Sequence, residues 1–155
     1  MCNPPAIMAV TAASGLFSAY GQYQQGKYQE QVGKNNAIVQ NRMAENAVQR
    51  GQQEEQRHRM RVAQMKSDQR AAFGASGRDI SGSALDIIGD TAQMGELDAM
   101  TLRSNAETEA YGHKVAAVNS RAEGKLARQK GKFAAGSTLL STGSQVGGQW
   151  KKYYG

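Results

Sequence analysis

The sequence predicts an all-α fold: a long antiparallel helical hairpin with small apolar N- and C-terminal segments, assembling as a multimer. Three observations predict it. Two polar stretches of helical character, Gln22 to Phe73, rich in Gln, Ala and Arg, and Ser83 to Lys132, rich in Ala, contain no proline. A short patch of glycine and serine separates them at mid-chain. Finally, only 39% of the residues are hydrophobic and 6% aromatic, too few to fill a thick core, so a slender helical protein that needs partners fits better than a globule. Five segments follow: 1–21, 22–73, 74–82, 83–132 and 133–155.

The first segment is apolar and small. It holds Ile7, Val10, Gly15, Leu16, Phe17 and Tyr20 as candidate membrane or interface residues, with Tyr23 just beyond. It has no basic region ahead of its apolar run, which makes it a poor secretory signal, so it is expected to be kept. Cys2 is the single cysteine, which excludes an internal disulfide.

The first long arm has a weak apolar period, through Val39, Met43, Ala47 and Gly51 and then, after a polar gap, Val62, Met65 and Phe73. Gly33, Gly51, Gly112, Gly124 and Gly131 mark places where either arm could bend or stop, because glycine is a poor helix former.

The patch between the arms has the chemistry of a chain reversal. Gly74 can take the left-handed conformation that ends a helix after Phe73, and Gly77 and Gly82 add freedom. Ser83 with Asp86 has capping-box spacing; Ser81 would instead let Ile80 staple against Leu85. The second arm has the clearer period. Leu85, Ile88, Ala92, Gly95, Ala99, Leu102 and Ala106 are spaced by three and four, a heptad-like seam of mostly small residues.

Charge supports the hairpin. With a fold line near Arg78, facing residue numbers add to about 156, which sets Arg70 near Asp86, Lys66 near Asp90, Arg61 near Glu96 and Arg59 near Asp98. The second arm also runs from acidic to basic, in keeping with the helix dipole. Each exposed pair is weak, about 0.5 kcal/mol or less, so together they select a register more than they stabilise it.

The same register brings the two ends of the chain together. Phe133, Leu139, Leu140, Trp150, Tyr153 and Tyr154 in the last segment join the candidate membrane or interface residues of the first. Small residues at four-residue spacing (Thr11, Gly15 and Ala19; Ser137 and Ser141; Gly143 and Gly147) would let helices pack closely in a membrane or in water. Aromatic and basic residues bracket both ends, as at bilayer interfaces. Membrane insertion and a multimeric protein interface both stay open.

The net charge of +6 and a pI near 9.6 are compatible with an anionic partner. Arg57, Arg59, Arg61, Lys125, Arg128, Lys130 and Lys132 are the candidates for phosphate contact; the bland alternative is a solvated or salt-bridged helix face. No catalytic, cofactor-binding or metal-ligating constellation occurs. His58 and His113 fall far apart on the arms, and "GASG" is not a nucleophile elbow. No cofactor is expected.

One resemblance stands out. An "MC" start with a small apolar segment is followed by a Gln/Ala/Arg-rich helix, then "RAAFGASGRDISGSALDII", then an acidic-to-basic helix. That layout, and most specifically "RAA" with Gly74 followed by Gly82, Ser83, Asp86 and Ile88, resembles the small internal virion proteins of short-tailed, T-seven-like bacteriophages, also called core or ejection proteins. The resemblance implies a non-enzymatic protein packed in the capsid near the portal. It implies release into the host envelope, a multimeric ring, larger ejection proteins as partners, and a channel in the host outer membrane for genome delivery. Two alternatives stay open: an adaptor retained on the portal or tail, and a basic core protein in contact with DNA.

Overall fold

Two α-helices, α1 (Pro4–Ala75) and α2 (Ser83–Tyr154), make up the molecule, with no strand among the described residues. The computed structural model describes residues 4–77 and 81–154, and side chains within 9–77 and 81–152. The fold line at Arg78, the staple by Ile80 and the side chains of Ile7, Tyr153 and Tyr154 lie outside the described residues.

Local chemistry explains the helix ends. Both prolines of the chain, Pro4 and Pro5, sit in the first turn of α1, where a missing N–H breaks no helical bond. The reversal differs from expectation at its stop and at its cap: among the described residues neither the Ser81 nor the Ser83 hydroxyl bonds a backbone N–H, because Ser83 is already helical and Gly82 stands at the capping position. Gly74 stays helical, and the left-handed residue is Gly77, at φ 69°. The helix gains its last turn from local bonds: Ser76 N donates to Ala72 O at 3.1 Å and Ser76 Oγ to Phe73 O at 2.8 Å. Gly77 then occupies the position just past the helix where a side chain would be strained. At the start of α2 the carbonyl of Gly82, itself at φ 56°, accepts from the backbone N–H groups of Leu85 and Asp86 at 3.0 and 3.1 Å. Asp86 in the first turn and Lys151 and Lys152 in the last complement the dipole of α2.

No break occurs at the internal glycines. Gly33, Gly51, Gly112, Gly124 and Gly131 are all helical, as are Gly21–Gln22 and Lys132–Phe133, where segment boundaries were expected. The physical reason appears in the packing of two compact units, residues 1–39 with 116–155 and residues 40–115.

In the 40–115 unit the two helices run antiparallel, with Gly51 against Ala106 and Val62 against Gly95. The residue numbers of each pair add to 157, one more than the register expected from charge. The buried centre is alanine: Ala44, Ala47 and Ala110 cluster, with Val48 packed against them. Polar bonds cross the same contact line, Gln69 Nε2 donating to Thr91 Oγ1 at 2.9 Å and His113 Nδ1 meeting Gln40 Oε1 at 2.8 Å.

In the 1–39 and 116–155 unit the contact line is glycine. Gly15 faces Thr142, Gly26 faces Gly131 and Gly33 faces Gly124, and these pairs again add to 157. A methyl group at Gly26 would stand 3.0 Å from the Ala127 carbonyl oxygen, and one at Gly131 2.9 Å from the Gln22 carbonyl oxygen. Backbone meets backbone there, which only glycine permits. These glycines therefore serve helix contact and are not hinges.

Candidate functional site

The seam of α2 is a line of small side chains. Ile88 is 3% exposed and Ala99 fully buried; Gly95 and Ala106 are buried, and Ala92 and Leu102 half-buried. Leu85 lies outside the line at 57% exposure, and Ala84 holds the buried position beside it. Within the 40–115 unit the line continues through Ala110; in the other unit Ala117 is buried. On α1, the weak apolar period of the sequence meets the buried face only in part: Ala47 and Gly51 are buried and Val62 and Phe73 half-buried, but Val39, Met43 and Met65 are exposed, and Ala37 and Ala44, outside the period, are buried.

The large apolar side chains of the two end segments point outward. Val10, Leu16, Phe17, Tyr20, Leu139, Leu140 and Trp150 are all exposed, Phe133 is 79% exposed, and Tyr23 is just over a third exposed. Gly15 is the member of this group that is buried, against Thr142. The serines and threonines of the last segment bond to their own helix. Ser137, Ser141 and Ser144 donate to carbonyls three residues back, and Thr138 and Thr142 to carbonyls four back, at 2.8 to 2.9 Å. Such back-bonding makes a helix surface less polar than its composition suggests.

Ion pairs cross the seam in both units. In the 40–115 unit Arg50 pairs with Glu109. Arg59 reaches Glu96 at 2.7 Å and Glu55 at 3.0 Å, so Glu96 takes Arg59 where Arg61 was expected, and Asp98 lies instead 3.9 Å from His58. The hydrogen bond from Arg50 holds the Glu109 carboxyl below the usual glutamate range.

The glycine-lined unit holds Glu30, the one buried charged residue among the described residues, at 8% exposure. Its two oxygens are each occupied: Lys34 at 2.9 Å on Oε1, and Arg128 of α2 at 2.8 Å on Oε2. The hydrogen bond from Lys34 lowers the Glu30 pKa most and the charge of Arg128 adds to it, outweighing the burial that raises it. Sequence reading missed this cluster and the Gly26–Gly131 and Gly33–Gly124 pairs. A signal was present: both glycine pairs are seven residues apart on their own helix, and they mirror each other across the turn.

The candidate phosphate contacts divide. Arg57, which donates to Gln53 O at 3.3 Å, and Arg61 line one groove with Glu54, and Arg59 is ion-paired, all in the 40–115 unit. Lys125, Arg128, Lys130 and Lys132 lie in the other unit, Lys125, Lys130 and Lys132 exposed and Arg128 on Glu30. No group of three His, Cys, Asp or Glu among the described residues could hold a metal ion. No helix among them is long and apolar enough to cross a membrane.

A helix-pair protein whose chemistry is spread along a seam and over outward faces is the class these features define. The model of the T7 virus internal virion protein gp14 family matches residues 1–155, the whole chain. The chain belongs to that family, one of proteins carried inside the virion. Searches among curated proteins and among solved structures give no match.

Proposed function

We propose that the protein is a non-enzymatic ejection protein: packed near the portal, released into the host envelope, and a subunit of a channel through the outer membrane for the genome. The observation that carries this is the outward placement of Phe17, Phe133, Leu140 and Trp150 on a helix pair whose contact line is glycine and alanine. Apolar side chains of this size need cover, by further copies, by larger ejection proteins or by lipid.

The way of entering a membrane follows from the same facts. No described helix can cross alone. A multimer could still do so, with Val10, Leu16, Phe17, Phe133 and Leu140 toward lipid or a neighbouring copy and polar residues toward a lumen. The hydroxyls of Ser137, Ser141, Ser144, Thr138 and Thr142 suit that environment because they are already bonded to backbone. Gly15 against Thr142 lets the two end segments approach closely.

The test is dye release from liposomes by detergent-purified full-length protein, together with its mass by light scattering. Multimers and leakage are expected from the whole chain, and no leakage after removal of residues 1–20. Equal leakage from the truncated chain would end the membrane role of that segment. Retention of the protein in particles that have emptied their DNA would favour an adaptor that stays on the portal or tail.

A further inference from the structure

The charge of the chain is concentrated in one unit. Residues 1–39 and 116–155 carry nine lysines and arginines against two acids, Glu30 and Glu123, while residues 40–115 carry ten against eleven acids. The first unit is thus +7 and the second −1, which together make the +6 of the chain. We propose that Lys27, Lys34, Arg121, Lys125, Arg128 and Lys132 form one basic face that binds the phosphate backbone of duplex DNA without reading its bases.

Geometry puts these six on one face. Glu30 bridges the seam, with Lys34 of α1 on one oxygen and Arg128 of α2 on the other, so these two cations flank the seam on one side. Lys27 is three residues before Glu30 and seven before Lys34, which places it in the same row of α1. Arg121, Lys125, Arg128 and Lys132 follow at steps of four, three and four, a single row of α2. The glycine pairs hold the two rows close together. Arg121 to Lys132 spans about 16 Å of helix, roughly five phosphates of one strand at about 3.4 Å each.

The face is also free to bind. Glu30 is the acid within it, and both its oxygens are occupied by Lys34 and Arg128. Among the described residues Lys27, Arg121, Lys125 and Lys132 form no ion pair and are exposed. Glu123 turns elsewhere, lining a groove with Gln25, Gln29 and Lys130, so Lys130 is not part of the face. Every position of the α2 row from Arg121 to Lys132 is a cation, with no apolar side chain among them to enter acyl chains, as a lipid-surface helix would need. The family is one of internal virion proteins, which share the capsid with a packed polyphosphate genome. Arg57 and Arg61 belong to the near-neutral unit and are excluded.

The experiment uses the full chain and a fluorescein-labelled random duplex, read by anisotropy at 50 and 200 mM KCl. Six phosphate contacts give a slope of log affinity against log salt near −5, about a thousandfold loss across that range. A K27Q/R121Q/K125Q/K132Q variant should bind at least about tenfold more weakly at 50 mM and show a slope near −2. K125Q alone, which leaves folding untouched, should reduce the slope by about 1. R57Q/R61Q should bind as the parent does. Absence of parental DNA binding at 50 mM, equal binding by the fourfold variant, or an equal loss in R57Q/R61Q overturns the proposal. So does binding to phosphatidylglycerol vesicles without binding to DNA. The channel reading is tested separately, since dye release can fail while DNA binding persists.

Discussion

Gly33 and Gly124 meet backbone to backbone: a methyl group on Gly33 would lie 2.9 Å from Gly124 Cα and 2.5 Å from the Ser120 carbonyl oxygen. No rotamer change relieves a clash with backbone, so the helices would have to separate. Gly33→Ala and Gly124→Ala should each destabilise by about 1–3 kcal/mol, the usual cost of overpacking. At Gly21 and Gly112 nothing lies within 4 Å of an added methyl group. There Ala should stabilise by about 0.5–1 kcal/mol through helix propensity. Urea unfolding followed by circular dichroism reads both signs, and a gain at Gly33 would show that the close approach does not form.

The Ala-based seam makes a second contrast. Ala37 and Ala99 are fully buried, whereas Arg59 and Glu96 pair in the open. Ala99→Leu should cost about 1–3 kcal/mol because Ala99 is fully buried and a larger side chain must force its neighbours apart. Arg59→Gln with Glu96→Gln should cost about 0.5 kcal/mol or less, and that difference should fade in high salt. A larger loss from the charge pair than from Ala99→Leu would mean that electrostatics, not close packing, holds the helices together.

These contrasts mark what sequence could and could not reveal. Helical periodicity at Ile88, Gly95, Ala99 and Ala106 and the glycine–serine patch define two helices and a reversal, and charge places the register one residue from the Gly51–Ala106 pairing. Large apolar residues misled, because the habit that they are buried fails for a two-helix pair with too little interior to hold them. Leu85, Val39 and Met43 face outward, and Ala84, Ala37 and Ala44 are buried in the seam. The internal glycines read as hinges because propensity is a one-helix property, while their use depends on the facing helix. The stop moved from Gly74 to Gly77 because the bonds of Ser76 to Ala72 and Phe73 extend the helix past the first glycine. Nothing in the local sequence singles out Glu30, since its partner Arg128 is 98 residues away.

Glu30 gives the molecule an acid-sensitive point. Its folded pKa lies below the unfolded value of about 4.3, so the protons it takes up in acid favour the unfolded chain. Its contribution is fully present above the unfolded value and lost as pH falls through the lowered folded value. Glu109, held down by Arg50, acts with the same sign. Melting temperature should therefore fall below about pH 4.5 in the parent. Glu30→Gln should melt lower than the parent at pH 7, and the two curves should converge in acid. A constant gap from pH 7 down to pH 2 would mean that Glu30 acts through shape and not charge.

Phe133 and Leu140 allow assembly to be separated from folding. Both are nearly four-fifths exposed on α2, so neither supports the helix pair. Replacement by serine should then change unfolding free energy by no more than about 0.5 kcal/mol, as for surface substitutions generally. The same change removes apolar area that copies or lipid would cover, about 25 cal/mol for each Å² lost, and a ring repeats that loss at every subunit contact. Phe133→Ser with Leu140→Ser should thus shift the protein toward monomer in sedimentation velocity and abolish dye release, while the melting curve of the monomer stays put. Unchanged multimers and leakage would place the assembly surface elsewhere on the helices. A lowered melting temperature of the monomer would instead show that these side chains fold back onto the pair.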